Sequence, residues 1–429
     1  MQEYPAMSLK SITLSLLLGA TLMQGAIAQE DSLESATAKA LESYRWFHSH
    51  PELSREEAQT SKRLASELRD IGLEVHEGVG GYGVLGVLKG GTKGPLVLYR
   101  ADMDALPVTE ETGLPYSSQT PGVMHACGHD IHMATALGTL RLLAQQRDRW
   151  KGTILFVGQP AEEVGSGAEA IIADPRFEKL LGELGEKPVV ALALHDNAEM
   201  KAGQAALTSG YVTANVDSVD ILVKGRGGHG ARPSKSVDPI VIASEIVTSL
   251  QTIISRRLPA GTRAVVTVGV FNAGTKRNII PSKALLQLTI RSYEEETRTK
   301  ILEEVKRISE SIAQAHGAPQ PPKITHHAKN YTPAGKNDPE WATRLRPVFV
   351  ETVGADNLLE LPPSMVGEDF SEYSKRLGIP SVMFLVGTRP SHLKAIPGLH
   401  SSGFAPDAEN TLKTSIALMR AGILEALKP

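Results

Sequence analysis

The chain has 429 residues, of which 41% are hydrophobic and 22% charged, with a net charge of -3 and a single cysteine. That length exceeds one ordinary core, so two or three domains are expected. The near-neutral charge and the lack of a long Lys/Arg run leave no electrostatic basis for nucleic-acid binding, and one cysteine excludes an internal disulfide.

In chain order, Lys10 precedes the apolar run Ile12 to Ala20, and Ala26-Ile27-Ala28 offers a small-residue cleavage site. Residues 1–28 therefore read as a signal peptide, and the protein as exported, either periplasmic or secreted. The run falls short of the roughly 20 residues a membrane span asks for; a short anchor is the alternative reading. No later stretch is long and apolar enough for a stable span.

Ser32 to Ser49 and Glu56 to Ile71 carry apolar residues at helical spacing. Short β-rich runs follow at Gly83 to Leu88, Leu96 to Tyr99, Thr153 to Val157, Val189 to Leu194 and Ser381 to Val386, with a helix over Ile131 to Gln145. This alternation predicts an α/β domain with a mostly parallel sheet covered on both faces. The middle of the chain differs. Val219, Ile221 and Val223 alternate with polar neighbours, and a helix runs from Asp238 to about Arg257. Strands over Ala264 to Phe271 and Ala284 to Ile290, a helix over Glu294 to His316 and a strand near Ile324 complete it. The order β-α-β-β-α-β predicts an α+β, ferredoxin-like domain. The expected division is 29–214 and 326–429 for the larger domain, with 215–325 inserted between them.

In an open α/β sheet, ligands bind at the carboxyl ends of the strands. Three predicted strands deliver ligand-type residues to that end. Leu96 to Tyr99 runs into Asp102 and Asp104, Thr153 to Val157 into Glu162-Glu163, and Val189 to Leu194 ends on His195. Cys127 and His129 open a helix, with Gly128 allowing tight backbone geometry between them. Thiolate, imidazole and carboxylate suit a zinc-like ion. Adjacent glutamates on a non-helical turn point in different directions, so one can bind metal while the other takes a proton from water. A cysteine hydrolase with Cys127 as nucleophile, and a binding protein that lost the reaction, are the competing classes.

Arg100 to Pro107, His125 to Ala134, Gln159 to Glu163, Gly225 to Gly230, Asn278 to Pro281, Gly367 to Phe370 and Leu399 to Ser401 occur in one order along the chain. As a set they resemble the metal-dependent amidohydrolases that include hippurate hydrolase and indoleacetyl-amino-acid hydrolase, within the aminoacylase and carboxypeptidase superfamily (subfamily D of peptidase family M20). The resemblance implies a di-metal catalytic domain with an inserted lid and dimerisation domain. It implies Cys127, His129, Glu163, His195 and His400 as ligands of two divalent ions, zinc first and manganese or cobalt as alternatives, with the thiolate bridging. Glu162 matches the general base, Asp102 a carboxylate that orients a ligand, and His229 a residue that reaches the partner site of a homodimer to polarise the substrate carbonyl. Asn278 and Arg291 are candidates for binding the carboxylate of an N-acyl amino acid or dipeptide substrate. The chain departs from the pattern at Asp196-Asn197-Ala198, Arg232 and Ser401-Ser402, which bears on substrate preference more than on the ligands.

Overall fold

The computed structural model describes residues 33–327 and 331–428; the signal-peptide reading of 1–28 lies outside them. Among the described residues no helix is long and apolar enough to cross a membrane.

An eight-stranded sheet forms the centre of the larger domain. Its middle strands Lys151–Gln159, Thr92–Asp102, Val190–Lys201 and Ser381–Arg389 are parallel. Along Val190–Lys201, Leu192 and Leu194 enter one core while Ala191 and Ala193 enter the core on the opposite face. Burial on both faces is why these strands read as continuous apolar runs. The helices Ala58–Ile71, His129–Gln145, Pro339–Val353 and Ala408–Ala426 supply the first core. Gly167–Ile172, Pro175–Leu184 and Ser371–Leu377 supply the second.

Two features differ from the expectation. An antiparallel pair, Glu74–Val79 with Gly83–Lys89, extends one side of the sheet. Glu74–Val79 is exposed or half-buried as far as Val79 and mixed in composition, so it carries no apolar run. The strand expected to end at His195 continues to Lys201, because Ser381–Arg389 keeps pairing with it past that point, with Leu385 opposite His195 and Val386 opposite Asp196. His195 is therefore held within a strand rather than at the start of a loop.

The second sheet is wholly antiparallel, in the order Val265–Ala273, Lys283–Ser292, Asn215–Lys224, Lys323–His326. Helices Pro239–Leu250 and Glu295–Ala315 pack on it, and Ile242, Ile246, Leu250 and Ile253 share its separate core. This is the ferredoxin-like connection order expected from the sequence. The first of these helices stops at Leu250 and gives way to a wider π-type turn over Ile253–Arg257.

Candidate metal centre

The parallel register brings Asp102 opposite Gln159 at the carboxyl end of the sheet. Glu162 and Glu163 lie in the turn that follows Gln159. Cys127, Gly128 and His129 enter the same space at the mouth of the helix His129–Gln145. Gly128 has φ 85°, and a Cβ there would come within 2.0 Å of Asp196 Oδ2, so both backbone and space demand glycine. Ala161 and His400 have φ of 54° and 63° without being glycine. Such conformations persist only where the surroundings hold them, and they cluster at functional sites.

Cys127 Sγ lies 3.6 Å from His195 Nε2 and 3.3 Å from His400 Nε2. His400 Nε2 is 3.5 Å from Glu163 Oε1, and His129 Nε2 is 3.8 Å from Glu162 Oε2. Two donor groups result, Cys127-His129-His195 and Cys127-Glu163-His400, and they share the thiol. Tetrahedral ligands at bonds of about 2.0–2.3 Å are separated by roughly 3.3–3.8 Å, the spacing seen here. Each ring turns its Nε2 toward the cluster: His129 Nδ1 donates to the Asp104 carbonyl at 2.8 Å and His195 Nδ1 to the Asp196 carbonyl at 3.0 Å. Burial, reinforced by His132, lowers the His195 ring to about 3 and keeps it neutral. His129 Nε2 and Glu163 Oε1 are buried with no hydrogen-bond partner among the described residues. Buried polar atoms are normally paired, and a divalent ion fits the donors that converge here.

Glu162 stands beside this group and is nearly buried. Burial, then the neighbouring Glu368, pushes its carboxyl well above the usual range. Beneath it the fully buried Arg100 donates to Asp102 at 2.6 Å, Glu368 at 2.8 Å, Asp369 at 3.2 Å and Gln159 at 3.0 Å. Asp102 also takes a short hydrogen bond from His132 and lies 3.6 Å from His129 Nε2.

The fold thus brings together Cys127, His129, Glu162, Glu163, His195, His400 and Asp102. It leaves His229, Asn278 and Arg291 on the smaller domain. His229 is exposed in a two-residue strand paired with Ile279–Ile280, next to Asn278, whose carbonyl accepts the Gly230 amide. Arg291 donates to the Met365 carbonyl at 2.7 Å. Sequence reasoning assigned no task to Arg100, Asp104, His132, Glu368 or Asp369. All five lie inside quoted motifs, and a charged residue such as Arg100 directly continuing an apolar strand is the signal that could have found them.

Comparison with known proteins gives the same picture. The profile of peptidase family M20/M25/M40 matches residues 98–424. The chain is 36% identical to N-acetylcysteine deacetylase of Bacillus subtilis, over 80% of this chain and 87% of the relative. It is 38% identical to hippurate hydrolase of Campylobacter jejuni, over 76% and 82%. A Bacillus subtilis dinuclear metal-binding peptidase of the M20 family superposes with a TM-score of 0.74 at 30% identity, covering 91% of this chain and 99% of that one. A family profile spanning most of the chain, over a buried cluster of thiol, imidazole and carboxylate donors, makes this protein a metal-dependent amidohydrolase belonging to peptidase family M20/M25/M40.

Proposed function

We propose that the enzyme hydrolyses the amide bond of N-acyl amino acids, or of related small amides and dipeptides, with Glu162 as general base. The observation that carries this reading is the pair of donor groups joined at Cys127 with a near-buried carboxylate alongside. Cys127, His129 and His195 would hold one divalent ion and Cys127, Glu163 and His400 the other; zinc suits the thiolate best, with manganese or cobalt as alternatives. Bound there, they would supply Lewis-acid polarisation of the scissile carbonyl and a water made nucleophilic at neutral pH. Glu162 takes the proton of the attacking water and returns it to the leaving amine. Arg100 and Asp102 hold the floor of the site, and Asp104 and Asp196 fix the two imidazoles through their carbonyls.

Residues 215–325 serve in this reading as the lid, and a homodimer forms through it. The strand Val265–Ala273 lies at the sheet edge with Val270 and Phe271 exposed, which supports pairing with a second copy. His229 of the partner subunit would then polarise the substrate carbonyl, while Asn278 and Arg291 bind the substrate carboxylate. Export to the periplasm or medium follows from the reading of residues 1–28.

The test is hydrolysis of a panel of N-acyl amino acids and dipeptides by protein as purified, after chelation, and after return of zinc, manganese or cobalt. Glu162→Gln should bind metal normally and lose about 10²–10⁴ in kcat. Full activity in that variant would refute the base. Activity that resists chelator but is lost on alkylation would move the chemistry to Cys127.

A further inference from the structure

The turn that carries Glu162 and Glu163 is held from outside by two carboxylates. Glu57 Oε1 accepts the Ala161 amide at 2.8 Å. Asp104 Oδ1 accepts the Glu162 amide at 3.1 Å, and Asp104 Oδ2 the Glu163 amide at 3.0 Å. Three consecutive amides are thereby fixed at a point where Ala161 has φ 54°, a conformation that an alanine keeps only under such restraint.

Glu57 comes from a distant part of the chain and is itself braced. Its Oε1 also accepts the Arg55 amide at 2.9 Å, and Arg55 Nη2 reaches Ser166 Oγ at 3.1 Å, beyond the far side of the turn. Ser54 Oγ donates to Asp104 Oδ2 at 2.6 Å, and Leu53 bridges to Ala105. The segment 53–57 therefore grips the turn and Asp104 together. Glu57 is fully buried, with Oε2 lacking a hydrogen-bond partner among the described residues. A buried carboxyl is costly, and the groups it satisfies are the amides of Arg55 and Ala161.

We propose that Glu57 is a positioning residue for catalysis, holding through the Ala161 amide the turn that sets Glu162 against the attacking water. Asp104 complements it by fixing the next two amides. The inference rests on the reading of Glu162 as base. Without Glu57 the amides of Glu162 and Glu163 keep their hold on Asp104 and the turn is released at Ala161, the residue before Glu162, so the ligand stays while the approach of Glu162 loosens. Misplacement by about 1 Å can cost on the order of 10² in rate.

The experiment compares kcat, KM and bound metal for the wild type, Glu57→Ala, Glu57→Gln and Glu57→Asp. Glu57→Ala should lose about 10- to 100-fold in kcat with KM and metal content unchanged. Glu57→Gln should keep most activity, because its amide oxygen can accept the same two N–H groups. Should Glu57→Ala fail to fold, Glu57→Asp, whose carboxylate is withdrawn by one methylene, should show the same loss in kcat alone. Wild-type kcat in every folded variant would overturn the proposal. So would an equal loss in the Gln and Ala variants, or a loss fully accounted for by missing metal. Glu162→Gln measured in parallel separates the two readings: if it stays active the base assignment falls, whereas an inactive Glu162→Gln beside a fully active Glu57→Ala removes only the role of Glu57.

Discussion

Replacing Arg100 by Met keeps a similar stem and removes the guanidinium from among Asp102, Glu368 and Asp369. Burial alone would raise the Asp102 carboxyl, but the Arg100 charge, with His129 and His132, draws it well below the usual range. Burial already lifts Asp369 to about 7 against the pull of Arg100, so its protonation in the variant costs little. One further proton must then enter on Asp102. Moving that carboxyl from its ordinary value of 3.8 to pH 7 costs about 4 kcal/mol, at 1.36 kcal/mol for each pH unit. That agrees with the roughly 3–5 kcal/mol found when one partner of a buried ion pair is removed.

The sign of the pH dependence follows. In the wild type the lowered Asp102 value gives stability present at neutral pH and lost on acidification through its folded pKa. In the variant the Asp102 carboxyl is raised by burial, so the penalty shrinks as pH falls, by about 1.4 kcal/mol per unit from pH 7 to 5. Guanidinium chloride unfolding of both proteins with chelator present removes the linked contribution of metal binding. A penalty below about 1 kcal/mol at pH 7, or one that does not change with pH, would refute this account of the network.

Two other outcomes are expected. Gly128→Ala should lose bound metal and lower the melting temperature, because its Cβ would lie 2.0 Å from Asp196 Oδ2 on a backbone with φ 85°; wild-type metal content and melting would contradict the geometry assigned to Cys127 and His129. Burial lowers the His48 ring, but hydrogen bonds to Asp130 and Glu110 outweigh it and raise the ring to about 9 from 6.5. Its contribution is therefore complete below pH 6.5 and lost as pH rises through 9, so the stability gap between wild type and His48→Gln should narrow over that window. A constant gap would show that the imidazole does not carry charge there.

Local pattern was enough to place most elements. Leu64 and Leu68 mark a helical face, and Val219, Ile221 and Val223 a half-buried strand, because periodicity records which face is buried. The donor types were readable for the same local reason: strand ends and helix mouths in one sheet converge on one side, so Cys127, Glu163 and His195 could be grouped before any fold was known. The extension of the strand past His195 was not readable, since it depends on Ser381–Arg389 lying alongside. Nor was the enclosure of Arg100 by Glu368 and Asp369, or the grip of Glu57 on a turn 104 residues away, and the sharing of Cys127 Sγ between two donor groups was implied by the family resemblance and by no local pattern. Those depend on which distant segments become neighbours, and a period of 3.6 or 2 says which face is buried but not what it is buried against. Composition and spacing therefore determined the elements and the chemistry available to them, while tertiary packing decided which donors share an atom and which buried charges hold them in place.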